Sequence, residues 1–64
     1  MTEFQLRVVD EKAQLDDKIA KLTDFFVNPI YENLPSDERI RLHLQWDAMT
    51  RYSKILGERI EAFQ

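Results

Sequence analysis

The segment Asn28-Pro29-Ile30-Tyr31-Glu32-Asn33-Leu34-Pro35-Ser36 decides the fold, because it holds both prolines of the chain. The residue before a proline is pushed out of helical geometry, so Asn28-Pro29 ends whatever helix precedes it. Asn28 is placed to cap a short turn, Ile30-Tyr31-Glu32-Asn33, with Pro29 at its first helical position. A new helix then begins near Pro35 or Ser36. Ser36 is the expected N-cap, with Asp37 and Glu38 at the positive end of the helix dipole.

On either side of this segment the chain reads as helix. From about Thr2 to Val27 there are good helix formers and neither glycine nor proline. The second run reaches about Ala62 and is interrupted only by Gly57, which costs about 1 kcal/mol against alanine inside a helix. That glycine marks either a close approach or a frayed last turn. The expected architecture is all-α: a helix over about 2–27, a turn over 28–34 and a helix over about 35–62. Together these form a single antiparallel helical-hairpin domain spanning 1–64.

Apolar residues alternate at threes and fours, the seam pattern of packed helices. The first seam runs Val8, Lys12, Leu15, Ile19, Leu22 and Phe26. The second is read as Leu42, Gln45, Met49, Tyr52, Leu56, Arg59 and Phe63. Folding back at the turn brings Ile19 near Met49, Lys12 near Leu56, and the two ends together. Beside each seam lies a second apolar stripe: Leu6, Val9, Ala13, Ala20 and Val27 on one helix; Leu44, Ala48, Ile55 and Ala62 on the other, with Trp46 and Ile60 on its opposite flank. A hairpin buries one stripe per helix against itself, and the surplus calls for another chain.

Size points the same way. A chain of 64 residues without cysteine has little core and no disulfide to reinforce it, which makes a homo-oligomer the expected source of stability. One histidine, His43, gives no structural zinc site and reads as an ordinary boundary residue. The formal net charge of −3 opposes binding of long nucleic acid, which needs a basic surface. No apolar run approaches the roughly 20 residues of a membrane span, and Met1-Thr2-Glu3-Phe4 has no signal-peptide character. A cytosolic location is expected.

No catalytic arrangement is present in the sequence. Asp10, Glu11, Asp16 and Asp17 point around a helix and read as a solvated face. The polar seam residues carry more information. Read singly, Lys12 and Arg59 extend along the apolar surface or pair with nearby acids, and Tyr52 is an aromatic with its hydroxyl at the edge. Read together, cations beside an aromatic suit a small anionic ligand that carries a base. Lys18, Lys21 and Thr23 add further polar groups.

The words of the sequence narrow this. RVVDEKAQLDDKIAKLTDFF supplies Glu11-Lys12, Leu15, Lys18-Ile19, Lys21-Leu22 and Phe25. After Leu34-Pro35, the run ERIRLHLQWDAMTRYSKILGERIEAF supplies Gln45, Met49, Tyr52, Ile55-Leu56 and Arg59-Ile60. From roughly Arg7 to Phe63 this pattern resembles the phage anti-CBASS and anti-Thoeris sponges, small helical-hairpin proteins. The resemblance implies a compact homo-oligomer, often a hexamer, with pockets between protomers. Such proteins hold the cyclic oligonucleotide or cyclic ADP-ribose signals of bacterial anti-phage defence without cleaving them.

By the same resemblance, Lys21 and Thr23 match a lysine and threonine late in the first helix that line the family's pocket. Phe4 matches an aromatic near its start. Arg7 and Arg59 are the candidates for a site for cyclic trinucleotides. Tyr52 is a candidate ligand residue from the seam reading alone, as the aromatic beside Lys12 and Arg59 in the same half of the hairpin. The extra domain of anti-Thoeris members has no counterpart here, so cyclic di- or trinucleotides fit better than cyclic ADP-ribose isomers. No cofactor is implied, and the location would be the cytoplasm of the infected bacterium. The competing reading is a structural or adaptor hairpin whose second stripe docks on a partner protein.

Overall fold

A computed structural model describes residues 1–63; Gln64, the last residue of the expected domain, lies outside them. The chain forms α1 (Glu3–Phe25), α2 (Pro29–Glu32) and α3 (Ser36–Glu61). The long helices α1 and α3 pack against each other in an antiparallel rod of 47 × 15 × 13 Å.

Helix α1 begins with a capping box. The Gln5 amide N–H donates to the Thr2 hydroxyl, and the Thr2 N–H donates to the Gln5 side chain at 2.9 Å, which satisfies two otherwise orphaned donors. The helix ends two residues earlier than expected, and Val27 lies beyond it, 84% exposed. At the turn Asn28 accepts the Ile30 N–H at 2.8 Å, with Pro29 leading the short helix, as the sequence predicts. Ser36 is not the N-cap of α3. Pro35 holds that position in an extended conformation with no side-chain cap bond, and its carbonyl accepts the Glu38 and Arg39 N–H groups. Asp37 and Glu38 do occupy the first turn.

The core is small. Val8, Leu15 and Leu56 are buried, and Ile19, Met49, Ile60 and Phe63 pack around them. Leu56 is fully enclosed. The α1 seam is the expected one, but the α3 seam is corrected. Gln45, Tyr52 and Arg59 are exposed, and Trp46, Ser53 and Ile60 turn inward in their place. Both sets alternate correctly with Leu42, Met49, Leu56 and Phe63, so spacing does not distinguish them. Turning Trp46 and Ile60 inward in place of Gln45 and Arg59 removes more apolar surface from water, and that sets the rotation of α3.

Gly57 is explained by this rotation. A Cβ there would sit 3.3 Å from Cε of Lys12, so the missing side chain lets the lysine stem cross α3. At the turn end, the rings of Phe26 and His43 stack at 4.3 Å, and Tyr31 sets its edge against Phe25, Phe26 and His43. No helix among the described residues is long and apolar enough to cross a membrane.

Candidate functional site

The two flanks of the α1–α3 seam differ in chemistry. On one, polar groups are tied across the helices. Lys12 Nζ donates to Asp16 Oδ2 at 2.8 Å and to Ser53 Oγ at 3.1 Å, and the Ser53 hydroxyl donates to Asp16 Oδ1. Ser53 is the buried member. The Lys12 hydrogen bond, followed by that from Ser53, holds the Asp16 carboxyl below its ordinary value of 3.8. Asp16 therefore belongs to a closed network between helices, not to a purely solvated face.

The same flank carries a second tie. The Trp46 indole N–H donates to the Thr23 hydroxyl at 2.9 Å, and that hydroxyl donates to the Ile19 carbonyl at 2.8 Å. Thr23, expected at a ligand pocket, thus has its hydroxyl proton engaged and one acceptor direction filled. An alternation read through Trp46 and Ile60 in place of Gln45 and Arg59 would have revealed both ties, because it also brings Ser53 inward.

The other flank is open. There the Arg59 guanidinium lies 5.9 Å from the centroid of the Phe4 ring, within range of a cation–π contact. Phe4 is 63% exposed and Tyr52 is 44% exposed. Tyr52 lies two turns before Arg59 on the same stripe of α3, and Arg7 lies one turn after Phe4 on α1. Phe4, Arg7, Tyr52 and Arg59 therefore share one face. Arg7 pairs with Glu3 at 2.8 Å, both well exposed, a pairing too weak to keep the guanidinium from a better anion.

Lys21 and Thr23 do not join them. Residues two apart on a helix project to different sides: Thr23 faces Trp46, while Lys21 pairs with Asp17 at 3.0 Å on the outer surface. Among the described residues, the single hairpin encloses no pocket. What its open flank offers is a ledge of rings and guanidinium groups. Such a ledge can stack on a planar group and neutralise a phosphate.

With this geometry in view, the family comparison is decisive over nearly the whole chain: the model of the Sequestin family matches residues 2–62. The chain belongs to the Sequestin family. Membership points to a sequestering role for this Sequestin hairpin. Compared with curated proteins and with solved structures, the chain gives no significant match to either.

Proposed function

We propose that this Sequestin protein is a phage immune-evasion protein. In this reading it binds cyclic oligonucleotide second messengers of bacterial anti-phage defence and holds them intact, in the cytoplasm of the infected cell. Family membership over residues 2–62 carries the sequestering part of the reading. The open flank supplies the chemistry for the ligand class. Arg59 over Phe4, with Arg7 and Tyr52 on the same face, offers cations for phosphate and rings for bases.

Among the described residues a single hairpin encloses no pocket, so such a ligand would be enclosed between copies, which favours a homo-oligomer, up to the hexamer of the sponges it resembles. Lys21, on the outer surface and held by an exposed pair with Asp17, can turn to a ligand at such a junction. Thr23 would contribute there through its remaining acceptor direction or after exchanging its bond to Ile19. Cyclic di- and trinucleotides are the favoured ligands, ahead of cyclic ADP-ribose isomers. Sequestration needs affinity and stoichiometry alone, so no catalytic role is assigned to any residue.

Isothermal titration with a panel of cyclic di- and trinucleotides tests this. Tight binding at a fixed ratio per protomer, with intact ligand recovered on denaturation, is expected. Arg59→Glu and Lys21→Ala should each weaken binding by at least tenfold. Unchanged affinity in both would sink the site assignment, and a panel without a binder would sink the ligand class.

The exposed stripe of Leu44 and Ile55 on α3 favours a second reading, an adaptor hairpin docked on another protein. A melting temperature that ignores every nucleotide in excess would support it, since a native-state ligand raises that temperature by mass action.

A further inference from the structure

Counting back by sevens along the inward stripe of α3, Ile60, Ser53 and Trp46 lead to Arg39 at the turn end, and all four are at least partly buried. Ser53 is satisfied by Lys12 and Asp16, and the Trp46 indole by Thr23. Arg39 is not. Its Nε is buried and, among the described residues, has no hydrogen-bond partner. At helical spacings of three and four, Arg39 meets Pro35, Ser36, Leu42 and His43, none of them an acid. The adjacent acids Asp37 and Glu38 both pair with Arg41. A guanidinium drawn out of water without an anion is costly, and laying its stem along apolar surface supplies no acceptor.

His43 stands one turn further along the same face of α3, about 5–6 Å away between Cβ atoms. One side of its ring stacks on Phe26 at 4.3 Å and 11°. Tyr31 lies 5.2 Å from Phe26 and 5.9 Å from His43. These three distances close a small triangle, so Tyr31 flanks the stack and does not cover the far side of the imidazole. His43 is exposed, and that far side forms a shelf beside the unpaired guanidinium.

We infer that the turn end carries a site for a nucleoside monophosphate, with the phosphate on Arg39 and the base stacked on the outer side of His43. Guanidinium groups take phosphate through paired, charge-assisted bonds, and a ring already backed by Phe26 is a firm platform for a base. One turn of helix matches the separation of phosphate and base within a nucleotide. Stacking accepts every base, so the site reads the class of ligand and not its sequence. It lies at the opposite end of the 47 Å rod from Phe4 and Arg59, and stands apart from the function proposed for the open flank.

Nuclear magnetic resonance on the whole protein tests the site, following the Arg39 Nε–H and the His43 ring protons at constant ionic strength. The probes are adenosine monophosphate and inorganic phosphate. The nucleotide should move both signals saturably and bind about tenfold more tightly than phosphate, the margin that stacking supplies. Arg39→Gln should weaken the nucleotide response at His43 by about tenfold. His43→Ala should keep the phosphate response of Arg39 and remove the advantage of the nucleotide. Circular dichroism confirms that each variant remains helical.

An Arg39 signal that moves with neither probe would overturn the site, as would equal affinity for the two probes. So would a nucleotide response that survives Arg39→Gln. Arg59→Glu, at the far end, should leave this titration unchanged; a response lost with it would place the nucleotide on the open flank and overturn the inference. Cyclic nucleotide binding to the open flank is scored separately, so either site can fail without the other.

Discussion

The tied and open flanks of the seam each set polar groups beside aromatic rings and reach opposite outcomes. On the tied flank, Lys12, Asp16 and Ser53 close a triad, and Trp46 reaches Thr23. Its polar groups are largely satisfied within the chain. On the open flank, Arg59 meets the face of Phe4, and Tyr52 stands exposed. Polar groups that satisfy one another fix the helix register; those left beside exposed rings retain capacity for a ligand.

Substitutions sharpen the contrast, and the largest effect belongs to neither flank. Leu56 is the fully enclosed residue between them, so Leu56→Ala should cost about 2–5 kcal/mol, read by urea denaturation. A loss well under about 1 kcal/mol would mean that the hairpin does not depend on this core.

On the tied flank, Ser53→Ala removes a buried hydroxyl and should cost about 1 kcal/mol. The triad also gives stability a direction in pH. The folded-state pKa of Asp16 lies below 3.8, so its contribution is present above that value and is lost as pH falls through the lowered folded one. Acid unfolding of Asp16→Asn should lack this component. An acid limb identical to that of the wild type would remove the triad from the stability of the fold.

The open flank should behave in the opposite way. Phe4→Ala and Tyr52→Ala should change hairpin stability by only about 0.5 kcal/mol while weakening nucleotide binding. If instead they unfold the hairpin and spare binding, the assignment of the two flanks is reversed.

The smallest effect is expected at Gly57. Alanine there gains about 1 kcal/mol of helix propensity but displaces Lys12, whose Cε would lie 3.3 Å from the new Cβ. The two effects should nearly cancel in the wild type. In a Lys12→Ala background the gain should appear in full, and a double-mutant cycle measures the difference.

Much of this fold is legible from local chemistry. Pro29, Pro35 and Asn28 mark the turn because proline removes a backbone donor and restricts its neighbour. The α1 seam follows from spacing and size, because the competing stripe of Leu6, Val9, Ala13, Ala20 and Val27 offers smaller side chains to bury. Helix propensity places the start of α1 near Thr2, and the Thr2–Gln5 capping box fixes it there. Of the expected site residues, the fold brings Phe4 and Arg59 into contact, places Arg7 and Tyr52 on the same face, and separates Lys21 from Thr23.

The sequence by itself determined two helices, where each ends to within two residues, and an apolar surplus beyond what one hairpin buries. Those properties depend on local backbone preference and on counting. Only the tertiary structure decided which side of α3 turns inward, because Gln45-Tyr52-Arg59 and Trp46-Ser53-Ile60 have the same spacing and differ only in what they meet on α1. Packing of Trp46 and Ile60 toward α1, with Ser53 satisfied by Lys12 and Asp16, settles that choice. The same rotation leaves Tyr52 and Arg59 outside, where a ligand can reach them.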